Sequence, residues 1–507
     1  MKVGLKMKYI TINNSISAII LQVVTAIAGI ILPKLLISTY GSDINGMVSS
    51  ITQFIGYLAL VEAGIGNASI VQLYKPLAEN SIDEVNGILS ATNKFYKKSG
   101  SLFIFLVIIL LIIYPLFVSG QVDYCTVVWM ICILSLSSIF DYFFLGKYRV
   151  LLTADQKLYV INYVQCIGTI LNIVVTITLI RMNFTILTVK FFATLIYIFR
   201  MFLIYIYVKN HYGYLNFDVT PLTEKLSDRW SVLSHQIAGM VVLNTDIVVL
   251  TIFKIPLSEI SVYTVYNLVL NVIIGLLNSL LNAVTPLFGR ILVTDKSSMT
   301  REYYSIYEFL YFILTFALFT SLVILFIPFL NIYTQGITDA NYIRLNLALT
   351  FCLMGLIYMI RTPALTLINA SGHYKQTQKG AFIEAGINII VSLILVSKFG
   401  IEGVLLGTIC SHCFRSIELM KYNNDYIIKN SIRTTLIRII RNIILMLIII
   451  LSYRYIFIIN VNDFITWFIF ATLITISSFL FILFFNILCE KEYYYLLKEK
   501  LLRGGRK

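Results

Sequence analysis

Apolar residues fall in long blocks along this chain, and polar residues fall in short stretches between them, from Ile12 almost to the C-terminus. About twenty apolar residues in a helix cross a lipid core. The blocks predict about fourteen spans, at 12–37, 47–72, 100–118, 126–146, 159–180, 185–208, 230–253, 261–288, 306–330, 343–369, 381–397, 403–420, 440–459 and 465–488. The expected fold class is therefore an all-α integral membrane protein. One block stands apart. Tyr40 to Glu79 opens on a polar turn (Gly41, Ser42, Asp43, Asn45, Gly46), continues as an apolar run, and leaves through Lys75 and Pro76. Within the run sit Glu62, Gly64 and Gly66. A charge in mid-membrane is costly and faces other helices or water. Glycines just after it fit a bend that lines a cavity.

Composition agrees with the pattern. The 507 residues are 59% hydrophobic and 13% charged, with mean hydropathy +0.87, too apolar for a water-soluble globule. The net charge of +14 could suggest nucleic acid as a partner, but its distribution excludes that. Most Lys and Arg fall in alternate loops, whereas the opposite loops carry only Arg181, Lys254 and Lys398. By the positive-inside rule both termini are expected in the cytoplasm. No signal peptide is expected, since the first block is too long and lacks a small-residue cleavage site. Seven cysteines, mostly in apolar spans, make no disulfide framework.

Two halves of the chain can be laid over each other at an offset of 216 residues. Ser42-Asp43-Ile44 then matches Ser258-Glu259-Ile260, Ala154 falls on Ala370, and Asn172-Ile173 on Asn388-Ile389. An even span count per half gives parallel repeats about an axis normal to the membrane. The expected organisation is an N-terminal lobe at 1–208 (spans 1–6), a linker at 209–229 and a C-terminal lobe at 230–426 (spans 7–12). Spans 13 and 14 with a basic tail follow at 427–507 and lie outside the repeat. Two like lobes around a midplane site suit alternating access.

The charged residues inside the spans are the candidate chemistry. Glu62 and Asp246 could exchange protons or ligate sodium, or be tied to a neighbouring cation for structure; the residues leave both readings open. Among the cations, Arg344, Arg415, Arg454 and Lys190 are expected to snorkel to the headgroups. Arg361 is better placed, because Pro363 two residues on should kink and open the helix. Lys34 follows Pro33, Arg290 follows Pro286, Arg149 sits at an inner end, and Arg200 lies within a span. A cavity lined by Arg and Lys attracts an anion, and guanidinium suits phosphate. His235 could titrate near neutrality, though a lone His is more often simply hydrogen-bonded. Cys410-Ser411-His412-Cys413 has CxxC spacing without a second ligand cluster, so packing is expected rather than zinc, and no metal site is expected. No phosphate-binding loop is present.

With these motifs in hand, the chain resembles bacterial polysaccharide repeat-unit flippases. These form the Wzx-type O-antigen and capsule branch of the multidrug/oligosaccharidyl-lipid/polysaccharide (MOP) exporter superfamily. The resemblance covers essentially the whole length. It rests on YGSDINGMVSSITQFIGYLALVEAGIG with LYKPLAE, on TDIVVL, and on NASGHYKQTQKGAFIEAGINIIVSLILVSKFGIEGVLLGT. It implies two six-helix bundles around a cationic cavity, with two further helices outside. It also implies a substrate of undecaprenyl-pyrophosphate-linked oligosaccharide, moved from the inner to the outer leaflet of the bacterial cytoplasmic membrane. Lys34, Arg290, Arg361, Arg149 and Arg200 are the residues expected to contact it, Glu62 and Asp246 to couple or gate, and Gly64, Gly66 and Pro363 to bend. The expected partners are the lipid-linked oligosaccharide, membrane lipids and a polysaccharide polymerase. The chain is expected to be a monomer without cofactors, save H+ or Na+ as a coupling ion.

Three rivals remain. A drug exporter of the same superfamily would share the fold, and so would a peptidoglycan-precursor flippase, by a poorer motif match. A membrane polymerase or ligase would be an enzyme, and needs a large outer loop that this chain lacks.

Overall fold

A computed structural model of the chain describes residues 2–62, 64–226, 245–293, 297–456 and 461–491. Among them all regular structure is helical, and the chain divides into two compact units, Met1–Thr264 and Val265–Lys507.

The first unit holds α1 (Lys2–Tyr40), α2 (Ser42–Leu58), α3 (Ile65–Glu79), α4 (Ile82–Phe117), α5 (Tyr124–Phe140), α6 (Gly146–Ala154), α7 (Leu158–Arg181), α8 (Ile186–His211), and α9 at 245–252. It also takes in the first residues of α10 (Leu257–Val293). Helix starts follow local chemistry. Asp123 accepts from the Thr126 amide at 3.0 Å, and Thr185 from that of Thr188, which satisfies amides that lack partners in the first turn. α1 packs on α7, α7 on α8, and α3 on α4 and α6. Its core is built around the buried rings of Tyr96, Phe103 and Tyr114. Asn45 donates to Ser261 at 2.8 Å and Ser50 meets Thr251 at 2.7 Å, so small polar groups join α2 to α9 and the start of α10. Asn45 and Ser261 stand 216 residues apart, the offset of the sequence repeat.

The second unit holds the rest of α10, then α11 (Ser297–Tyr333), α12 (Leu345–Ile360), α13 (Thr362–Ala370), α14 (Tyr374–Tyr422), α15 (Arg433–Ile456) and α16 (Phe464–Cys489). Tyr266, Phe312, Phe316, Phe319 and Phe326 fill its core. The last two helices pack against α11. Trp467 donates to the Leu325 carbonyl at 3.2 Å, and Thr475 to Ser321 at 2.9 Å.

Twelve helical stretches among the described residues are long and apolar enough to cross a membrane. One of them, Lys375–Ile428, is 54 residues long, and it folds back on itself. Gly400 there has φ 54°, a left-handed backbone that favours glycine. Asn388 reaches Thr408 at 2.9 Å, and Ser392 reaches the Val404 carbonyl at 3.3 Å, so the two arms run antiparallel. The break falls in the gap expected between spans 11 and 12. The expected seventh span, 230–253, lies outside the described residues for 230–244, and so does His235. The expected span at 47–72 is not one helix. α2 tightens into a 3-10 turn at Ala59–Glu62 and the chain restarts as α3 after Gly64. Many large apolar side chains point outward, Ile112, Leu116, Ile465 and Phe468 among them. That is the surface of a multi-pass membrane protein, whose solvent is lipid.

Candidate functional site: an arginine between two carboxylates

The turn that ends α2 builds the site. Tyr142 donates to the Ala59 carbonyl at 2.8 Å and Ser99 to that of Val61 at 3.3 Å, so neighbouring helices hold the unwound stretch. Gly64 follows with φ 94°, which lets α3 start at a new angle. Glu62 is thereby presented to α4 and α6. Its Oε1 accepts from Tyr96 at 2.6 Å and from Arg149 Nη2 at 3.1 Å.

The same Nη2 lies 2.9 Å from Asp141 Oδ2. Asp141 opens a π-helical turn, Asp141–Leu145, in which the Gly146 amide bonds back to the Asp141 carbonyl. Two turns of regular helix take about seven residues, and a π turn adds one. Asp141 and Arg149, eight apart, therefore come onto one face. Glycines let the elements approach. A Cβ on Gly146 would lie 2.4 Å from the Tyr96 ring, and one on Gly66 would lie 3.0 Å from the Tyr96 hydroxyl. Arg149 is held but not used up. Its Nε and Nη1 make no hydrogen bond among the described residues, and its side chain stays 38% exposed. Asp141 is buried, yet its Oδ1 accepts no hydrogen bond among the described residues.

Arg200 stands near this cluster. Its guanidinium lies 4.9 Å from the Tyr197 ring, its stem packs on Gly168, and its charge is felt at Asp141. Lys34 lies half-buried on α1 beside Pro33. Asp246 is buried elsewhere in the unit, where it accepts from Tyr263 at 2.8 Å, next to a Tyr57–Thr245 contact of 2.7 Å. The side chain of Arg290 lies outside the described residues.

Arg361 belongs to a separate network in the second unit. Helix α12 stops at Arg361, and Pro363 occupies the first turn of α13, where a missing amide costs nothing. Arg361 is 7% exposed and bonds to Glu384 at 2.5 Å, with the Tyr358 ring 4.5 Å away. His412 Nδ1 meets Glu384 at 3.0 Å. Arg415 approaches Glu384 at 3.6 Å, and bonds to Glu418 at 2.5 Å and to the Thr377 carbonyl at 2.9 Å. Arg415 is thus buried and paired rather than snorkelled, because carboxylates within the helical hairpin outcompete the headgroups. A third cluster surrounds Arg438 with Glu308, Glu490 and Arg441.

Sequence reasoning passed over Asp141, Glu384, Glu308 and the role of His412. For the three acids, location inside an apolar span was itself the available signal. Among the described residues no group of three His, Cys, Asp or Glu could hold a metal ion.

The fold is that of MOP-superfamily transporters. The chain superposes on a lipid II flippase, MurJ, in an inward closed conformation with TM-score 0.66 at 17% identity, covering 95% of this chain and 99% of that one. An inward-facing multidrug resistance MATE transporter of the MOP superfamily matches with TM-score 0.61 at 15% identity, over 79% and 94%. A eukaryotic MATE transporter, AtDTX14, matches with TM-score 0.57 at 12% identity, over 84% and 97%. These are transporters and flippases, not enzymes. No protein-family model and no curated protein matches the sequence.

Proposed function

We propose that the chain moves undecaprenyl-pyrophosphate-linked oligosaccharide repeat units across a bacterial cytoplasmic membrane, from the inner to the outer leaflet, for surface polysaccharide assembly. It does so by alternating access, with both termini in the cytoplasm. One observation carries the reading: Arg149 is fixed through one nitrogen while the rest of its guanidinium stays open. Such a group offers bidentate hydrogen bonds to a diphosphate, and it repels the cations that many drug exporters carry. Lys34 and Arg200, in the same unit, add to the grip. Glu62 and Asp246 gate or couple the cycle. The buried Asp141 Oδ1 is the acceptor for a coupling proton or sodium ion. The agreement in length with the lipid II flippase, 95% of this chain against 79% for the MATE transporter, also supports a lipid-linked cargo.

The second reading is an ion-coupled exporter of small cations, favoured by the MATE neighbours. Proteoliposomes separate the two. Fluorescent undecaprenyl-pyrophosphate oligosaccharide should become accessible to a membrane-impermeant quencher in the second leaflet, and Arg149→Gln should slow this more than tenfold. Extrusion of a cationic dye with no movement of the lipid would overturn the proposal.

A further inference from the structure

α4 carries a polar stripe on one face. Asn86, Ser90, Asn93 and Lys97 follow at helical spacings of three and four residues, with Lys94 beside Asn93. The first part of the stripe is used. The segment from Tyr212 to Leu222 is strapped across it: Asn86 donates to the Tyr214 carbonyl and accepts from the Asn216 amide, both at 3.1 Å. Ser90 Oγ lies 3.0 Å from the Phe217 carbonyl and 3.1 Å from that of Val219, and the Leu222 amide donates to Gly87 at 3.0 Å.

The second part of the stripe is uncovered. It faces a cavity of about 580 Å³, lined by Asn93, Lys94, Lys97, Lys147, Asn216 and Phe217. Lys147 Nζ lies 4.2 Å from the Phe217 ring. None of the three lysines makes an ion pair among the described residues, and Asp218 is the lone carboxylate in the lining. The lining therefore carries a surplus of positive charge, amide donors and an aromatic wall. Lys147 and Arg149 are two residues apart on α6, so they point to different faces. This cavity is not the Arg149 cluster.

We propose that the cavity binds a phosphate- or diphosphate-bearing group. Ammonium groups meet phosphate oxygens as point charges, and the asparagine amides supply directed donors. Phe217 offers a face to whatever planar or apolar part is attached to the phosphate. The inference rests on the basic cavity alone and holds for any cargo. The phosphate can come from a lipid headgroup or from a soluble compound, and the test distinguishes them.

The amines of the wild-type protein are acetylated and mapped by mass spectrometry, in detergent with and without inorganic pyrophosphate, and in nanodiscs of phosphatidylglycerol or phosphatidylcholine. Lys94, Lys97 and Lys147 should be protected relative to the exposed Lys375 on α14. Protection by pyrophosphate assigns a soluble source. Protection by phosphatidylglycerol alone assigns a headgroup. In either case Lys97→Gln with Lys147→Gln should weaken binding of that probe at least about tenfold. No protection by either probe, equal protection of Lys375, or unchanged binding by the double variant would overturn the site.

Discussion

Arg149 in the first unit and Arg438 in the second each sit between two carboxylates, and the likeness ends there. Arg438 is 1% exposed. Its Nε bonds to Glu490 at 3.0 Å, Nη1 to Glu308 at 2.8 Å and to the Ser305 carbonyl at 3.1 Å, and Nη2 to Glu490 at 2.6 Å and to Ser305 Oγ at 3.0 Å. Every nitrogen is engaged, and the carboxylates have further partners: Thr435 and Tyr304 on Glu308, Arg441 on Glu490. Arg149 offers one nitrogen to both of its acids and leaves the others open. A saturated guanidinium fastens α15 and the end of α16 to α11. A half-engaged one beside an unwound turn keeps the donors that the proposed diphosphate grip needs. Pairing with carboxylates does not separate the two roles, but the donor inventory does.

The largest effect expected from this contrast is at Arg438. Replacing it with Met strands the buried Glu308 carboxylate and leaves the partly buried Glu490 with Arg441 alone, which costs about 3–5 kcal/mol. The protein should lose its monodisperse peak in detergent or melt far below wild type. A thermal midpoint near that of wild type would show that the cluster is not a fastening.

Arg149→Gln should do the reverse: transport falls steeply while the fold loses about 1 kcal/mol, because the Arg149 side chain is 38% exposed and water can take its place. A stability loss as great as that of Arg438→Met would make the two sites alike. Gly146→Ala lies between them. The added Cβ meets the Tyr96 ring, and overpacking of this kind costs about 1–3 kcal/mol. It should also slow transport by displacing the tyrosine that holds Glu62.

The smallest effect is a pH dependence at Glu490. Burial lifts its carboxyl, but the hydrogen bonds and charges of Arg438 and Arg441 outweigh this and hold it below the usual 4.5. A depressed folded value contributes stability above the unfolded value, and that stability is lost as pH falls through the folded one. The thermal midpoint should drop as pH is lowered past 4.5, and the drop should be shallower in Glu490→Gln.

How much of this was legible in the sequence depended on whether the signal was periodic. The apolar blocks gave the helices, and the gap expected between spans 11 and 12 falls on the break at Gly400. Glu62 was conspicuous as a charge in an apolar run, and Arg149 as a cation at a span end. Their connection through Asp141 was not visible, because the π turn adds a residue that a pattern based on regular helix does not contain. Arg415 was expected among headgroups because position along a span was the only guide. Glu384 and Glu418 decide otherwise, and Glu384 reaches Arg415 only after the chain folds back at Gly400. His412 was read with its flanking cysteines as packing, and its partner Glu384 lies 28 residues away on the other arm of the hairpin, so the pair was not visible.

Asn45 and Ser261 occupy matching places at the 216-residue offset, yet they are unlike residues. Two identical subunits meeting at a two-fold axis would set each such residue against its own copy, amide against amide or hydroxyl against hydroxyl. Carried on a single polypeptide, the two places are free to diverge. Here an amide on one side faces a hydroxyl on the other, a complementary pairing that a symmetric dimer could not have encoded.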